Sequence, residues 1–363
     1  MSSYYGNLIH LSIFGQSHSA GIGAVADGLP TGFKVDMDAL RAFMARRAPG
    51  QSNLSTARKE ADEVEFLSGL AEGYTCGAPL SVLIRNTNER PGDYSPFQDT
   101  PRPGHADYVA HEKYGGYEDA SGGGHFSGRL TAPLCAVGGI AMQILEQEGI
   151  SVAAHALEIA GVRDASFHPV DVCKADFDSR TLFPVPVLNP EAGKAMEQAV
   201  LAAKADGDSV GGIIECAAIG LPVGMGDPMF LGMENRISSA VFAVPAVRGI
   251  EFGAGFAAAA MRGSAHNDSY RMKGNKVVTA TNYHGGILGG ITSGMPLIFR
   301  VAIKPTPSIA LEQQSVSLSG GVDAPLAIKG RHDPCIVPRA VPCIEAAAAI
   351  ALLDAYLAYK SYR

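Results

Sequence analysis

Cysteine is sparse in this chain, and its placement excludes more than its number does. Cys76, Cys135, Cys173, Cys216, Cys335 and Cys343 are scattered with no CxxC pair, so neither a zinc ribbon nor a disulfide framework is signalled. They read as buried thiols of a reducing compartment. No two histidines stand at a spacing such as HExxH, so no metal is assigned. A GxGxxG fingerprint between a strand and a helix is missing too, and Gly253-Ala254-Gly255 is its nearest fragment. Positive charge is in deficit: 29 Lys+Arg give a formal charge of -7, so no nucleic-acid or membrane partner is expected and any attraction for anions is local. The opening MSSYYGNLIHLSIFGQSH lacks a basic start before an apolar core, and no apolar run reads as a membrane span. A cytoplasmic location is expected.

Glycine and proline are plentiful. With 363 residues, 43 of them Gly and 22 Pro, the chain is long enough for two core-forming units and too apolar for disorder. Strands are predicted at Leu8–Phe14 and Ile22–Ala26, a helix from Asp36 to Arg47, and strands at Val64–Leu67 and Leu80–Arg85. Asn86 to Gly128 is rich in Pro, Gly, Asp and His and reads as one long irregular stretch of the kind that is functional or disordered. Thr131 to Gly149 reads as a buried helix closed by glycine.

The second half echoes the first. GLPTG at Gly28–Gly32 returns as GLPVG at Gly220–Gly224, Val64-Glu65-Phe66 as Ile250-Glu251-Phe252, and the TxGxPL of Thr75–Leu80 at Thr292–Leu297. Each half then passes through a Gly/His loop, GGGH at Gly122–His125 and GRHD at Gly330–Asp333, into a long apolar helix, the second near Arg339–Tyr359. Matches in one order predict two similar halves, about 1–150 and 206–363, in a single domain, with about 151–205 as an insertion. The expected fold is α+β: a β-α-β sandwich with pseudo-twofold halves and the long apolar helices between two sheets.

Thr281 to Ser308 carries two glycine pairs, Gly285-Gly286 and Gly289-Gly290, then an apolar strand, then Lys304-Pro305-Thr306-Pro307-Ser308. Glycines admit close backbone approach, and a lysine with hydroxyls between prolines gives fixed donors, so this reads as an anion cradle. Tight turns and close strand contacts would explain the glycines equally well. Three polar loops are expected to converge on it: Gly15–Ser19 with His18, Arg102–Arg129 with His105, and Gly330–Asp333. His18 equally suits a turn histidine bonded to local backbone, whereas Asp107 can orient His105. Arg47, Arg102, Arg129 and Arg331 lie on Gly-rich or Pro-rich loops, where guanidinium forks suit carboxylates and phosphates, so a small, highly anionic ligand is expected. Asp333 fits an Asp-Pro turn or the role of a base or orienter.

RPGHADY with KYG, DSVGG, PAVRGIEFGAGF, GGILGGITSGMP, KPTPS and GRHDPC together resemble the chorismate synthase family from end to end. That resemblance implies a shikimate-pathway lyase, acting in aromatic amino acid biosynthesis, which converts 5-enolpyruvylshikimate 3-phosphate to chorismate and phosphate by anti-1,4-elimination. It also implies reduced FMN used without net redox change and a homotetramer; whether the chain reduces its flavin with NAD(P)H or is served by an external flavin reductase is left open by the sequence. By resemblance His18 is an acid near the leaving phosphate, His105 protonates or stabilises the reduced flavin, and Asp333 works with flavin N5 in proton removal. Arg47, Arg102, Arg129 and Arg331 resemble substrate and cofactor anchors, and Ser127, Ala246, Gly289 and Lys304–Ser308 the FMN cradle. The chain departs from the usual pattern at Asn53 and His125-Phe126, where arginine and RS are commoner. An NAD(P)H-dependent flavin reductase and a non-enzymatic phosphate-ligand binding module remain as alternatives.

Overall fold

The computed structural model describes residues 3–50, 54, 62–86, 97–328 and 333–362. Strands β1 (Tyr4–Tyr5), β2 (His10–Gly15) and β3 (Gly21–Asp27) lead into helix α1 (Met37–Arg47), followed by β4 (Glu65–Ser68) and β5 (Leu80–Arg85). These form an antiparallel sheet in the order β1-β2-β3-β5-β4. Helix α1 starts where predicted because the Asp36 carboxylate accepts from the backbone N–H groups of Asp38 and Ala39, both at 2.9 Å. The stretch read as irregular contains a helix, α2 (Asp107–Tyr114), and leads into α3 (Thr131–Gln147). Residues 87–96 of that stretch lie outside the described ones.

The second half supplies β6 (Ser151–Ile159), β7 (Val162–Arg163), α4 (Pro190–Ala205), β8 (Gly212–Ile219), α5 (Met233–Phe242), β9 (Val247–Phe252), β10 (Leu297–Ile303) and α6 (Val337–Ser361). Its sheet runs β9-β10-β8-β6-β7. Thus β2-β3-β5-β4 and β6-β8-β10-β9 are the same arrangement used twice. The echo extends to single hydrogen bonds: Thr75 Oγ1 donates to Pro30 O and Thr292 Oγ1 to Pro222 O, while Phe33 N and Met225 N donate to those same two hydroxyls at 3.0 and 2.9 Å. A Cβ on Gly28 or on Gly220 would stand 2.1 or 2.0 Å from a backbone carbonyl oxygen, of Leu8 and Gly149 respectively. Glycine is therefore required at both equivalent turns.

Two expectations are corrected. The stretch read as an insertion begins with β6, whose whole length pairs with β8; its unbroken apolar pattern gave no alternation to mark it as a strand. Two helical stretches, Gly128–Gln147 and Val337–Ser361, are in fact long and apolar enough for a membrane span, with mean hydropathy 1.3 and 1.7. They are instead 83% and 89% buried inside the protein, α3 packing on β3 and β5, α6 on β6 and β8, and each on the other. A Cβ on Gly138 of α3 would lie 2.3 Å from that of Ala346 in α6, so the helices cross backbone to backbone. This sandwich is the predicted architecture.

Charges buried in this layer are matched. Glu345 of α6 takes Arg46 at 2.6 Å and Arg180 at 2.8 Å. Burial pushes its carboxyl up, but the two guanidinium groups outweigh that and hold it below the ordinary range.

Candidate active site

The glycine loop after α2 is the meeting point. Gly122, Gly123 and Gly124 all have positive φ, at 62°, 93° and 52°. A Cβ on Gly122 would stand 2.2 Å from Cε1 of His18, and one on Gly123 3.0 Å from Cε1 and 3.1 Å from Nε2 of His105. Two histidines from distant loops thus rest on consecutive glycines, and Ser17 N donates to Gly124 O at 3.0 Å to fix the first loop there. His125 ties the same loop down, bonding Gly15 O at 2.7 Å and Ser3 Oγ at 2.6 Å.

Asp107 sets the second histidine. His105 Nδ1 lies 2.5 Å from its Oδ1, while Arg102 binds both its oxygens, at 2.7 and 2.8 Å. Burial pushes the Asp107 carboxyl up, but hydrogen bonds from Arg102 and His105 hold it well below the usual carboxylate range. With a carboxylate facing Nδ1, that nitrogen carries the proton and Nε2 faces the glycine loop. The Arg102 fork, stacked on Phe97 at 4.8 Å, is spent on Asp107, which makes it an orienter of His105.

Arg47 and Arg129 share one buried counter-ion, Asp62. Burial raises its carboxyl, and the two cations overcome this and lower it. Two guanidiniums on one carboxylate leave a net positive site, with Arg47 also bonded to Thr131 Oγ1 and Gly128 O, both at 3.2 Å. Arg339 connects this group to the last loop: it donates to Arg47 O at 3.0 Å and pairs with Asp333 at 2.5 Å. Arg331 and Asn53 lie outside the described residues. The sequence gives no signal for Asp62, whose partners Arg47 and Arg129 are 15 and 67 residues away, and Arg339 reads there only as the start of the long helix although Asp333 is six residues before it.

The cradle is only partly one place. Lys304 Nζ donates to Gly104 O, and Lys304 N to Ala246 O at 3.0 Å, so Lys304–Ser308 abuts the His105 loop. Ser127 and Pro245, the neighbour of Ala246, line a cavity of about 300 Å³ with Thr131, Leu134 and His125. The glycine pairs belong to the other end of β10. A Cβ on Gly286 would lie 2.5 Å from Pro296 O, a close backbone packing, and Gly289 sits in the turn between Ile287–Leu288 and Ile291–Thr292. Seven residues of β10 separate this turn from Lys304, about 20 Å of strand. The structure therefore brings together His18, His105, Arg47, Arg102, Arg129, Asp333, Ser127, Ala246 and Lys304–Ser308, and leaves Gly289 apart within the chain.

Comparison with known proteins agrees with this geometry. The family model described as Chorismate synthase matches residues 9–357. The chain belongs to the chorismate synthase family. Curated relatives named chorismate synthase include one from Korarchaeum cryptofilum, 46% identical over 96% of both chains, and one from Lancefieldella parvula, 44% identical over 99% of this chain and 98% of the relative. A third, from Thermococcus kodakarensis, is 43% identical over 98% of both. A crystal structure titled chorismate synthase matches with a TM-score of 0.78 and 25% identity, over 98% of this chain and 93% of that one. Chorismate synthase membership makes the chain an enzyme, a lyase of the shikimate pathway, and the α+β sandwich is the fold of that structural relative.

Proposed function

We propose that this chain converts 5-enolpyruvylshikimate 3-phosphate to chorismate and phosphate by anti-1,4-elimination, with reduced FMN in the site. The observation that carries the reading is His18 and His105 resting on Gly122 and Gly123, beside an arginine pair that keeps net positive charge. Arg47 and Arg129 bind the substrate's anionic groups. His18 donates a proton to the departing phosphate, Asp333 accepts the C6 proton, and its ion pair with Arg339 aims that carboxylate. His105, its Nδ1 proton held by Asp107, presents Nε2 to the site. The residues also fit the cofactor. The Thr306 hydroxyl is buried with no hydrogen-bond partner among the described residues, which is costly unless a ligand satisfies it, and the cavity by Ser127 and Pro245 is roomy enough for part of an aromatic ring system. Ser127, Ala246 and Lys304–Ser308 would hold FMN, which supplies electron density to the elimination and regains it, with no net oxidation.

A homo-oligomer, a tetramer by family resemblance, is part of the reading, supported by the exposed side chains of Met229, Phe230 and Phe256. The cytoplasmic assignment is supported by six free cysteines, four of them buried. The test is an anaerobic phosphate-release assay with and without dithionite-reduced FMN. Release only with the reduced cofactor is expected; equal release with oxidised FMN would refute the cofactor's place, and no release in any condition the lyase activity.

A further inference from the structure

On β9 and just past the end of β10 stand two cations with no carboxylate partner among the described residues. Val247 pairs with Ile303 and Gly249 with Ala302, so Arg248 is the extra residue of a β-bulge opposite the end of β10. Bulges re-aim a side chain and are frequent beside functional sites. The next residue after Ile303 is Lys304, whose N–H is fixed on Ala246 O at 3.0 Å, and Ala246 itself holds a φ of 73°, unusual for a residue with a Cβ. Burial and the nearby Arg248 charge both push the Lys304 ammonium pKa down. Further along the same two strands a basic residue is neutralised, Arg300 by Glu251 at 3.0 Å. Arg248 and Lys304 have no carboxylate partner among the described residues. Two residues on from Lys304 stands the buried hydroxyl of Thr306, which has no hydrogen-bond partner among the described residues.

We infer that Arg248 is a phosphate-binding residue of this site, closing with Lys304 and Thr306 on the phosphate monoester of FMN. This rests on the cofactor reading above and adds a residue that the motif KPTPS does not contain. A dianion between the two cations removes their mutual repulsion and gives the Thr306 hydroxyl an acceptor. The phosphate, not the ring, is then what Arg248 recognises. Because the Arg248 side chain is exposed, its replacement leaves the core untouched.

The test is anaerobic equilibrium dialysis of the full chain with reduced FMN and, separately, with reduced riboflavin, which lacks the phosphate. Arg248→Gln is expected to bind FMN about tenfold more weakly with riboflavin affinity unchanged, and Arg248→Lys to recover most of the loss. Unchanged FMN affinity in Arg248→Gln, or an equal loss for riboflavin, overturns the inference while leaving the cofactor reading standing. Failure of the unaltered protein to bind reduced FMN overturns both.

Discussion

Lys304 and Gly104 are 200 residues apart in sequence, yet the lysine ammonium donates to the glycine carbonyl. That contact carries the cradle of one half onto the histidine loop of the other. It follows from the repeat: equivalent sheets on either side of α3 and α6 bring the loops of both halves together.

The first prediction concerns His105 and its support. His105→Ala and Asp333→Ala should each slow phosphate release by about 10²–10⁴-fold, the usual worth of a positioned acid or base, with circular dichroism unchanged. Asp107→Asn should also slow it, because an amide can present its donor to Nδ1 and favour the wrong tautomer. Full activity in any one of the three removes that residue from the mechanism.

Asp62→Asn leaves Arg47 and Arg129 facing each other, both buried, without their shared counter-ion. Breaking such a buried network costs about 3–5 kcal/mol, so the urea midpoint should fall clearly. A midpoint within error of the unaltered protein would show that the two arginines are held by other means.

Gly122→Ala tests the glycine loop. It places a methyl 2.2 Å from the His18 ring at a φ of 62°, where a Cβ costs roughly 1–2 kcal/mol. The expected result is a small drop in melting temperature with a much larger loss of turnover, as His18 is pushed aside. Loss of stability alone, with normal turnover, would argue that His18 has no part in the reaction.

Stability should depend on pH at both ends. Asp62, Asp107 and Glu345 have carboxyls held low in the fold, so their support is present above their unfolded values near 4 and is lost as the pH falls through the folded ones. His155 is the reverse. Burial pushes its imidazole down, but Asp164 and Glu215, at 3.1 and 3.2 Å, more than compensate and raise it. Its contribution is full below about 6.5 and is lost as the pH rises through its folded value. Urea midpoints across this range should fall on both sides of a plateau, and His155→Gln should flatten the alkaline limb. An identical alkaline limb in that variant would refute the assignment.

Much of this is legible in the sequence. Short matches repeated in order gave the two-sheet sandwich because each marks a turn whose hydrogen bonds recur, as at Thr75 and Thr292. His18, His105 and Asp333 were visible because Gly and Pro flank them. The glycine pairs of Gly285–Gly290 are ambiguous in sequence, since close backbone packing and ligand approach select the same residue, and the structure shows the packing at Gly286. Strand β6 was missed because burial on both faces erases alternation. Arg102 drew notice as a free fork, and only three-dimensional contact shows its commitment to Asp107. Asp62 acts through neighbours 15 and 67 residues away, which spacing does not encode, and Arg339, though only six residues from Asp333, reads in sequence merely as the start of the long apolar helix.

The central claim is a lyase whose distant loops form one anionic-ligand pocket that uses reduced FMN without consuming it. The most direct measurement is a single anaerobic experiment following phosphate, chorismate and the flavin spectrum together, with substrate in excess over reduced FMN. Many equivalents of phosphate and chorismate in equal amounts, with the flavin still reduced at the end, are predicted. Product limited to one equivalent per flavin, or flavin left oxidised in step with product, would contradict it.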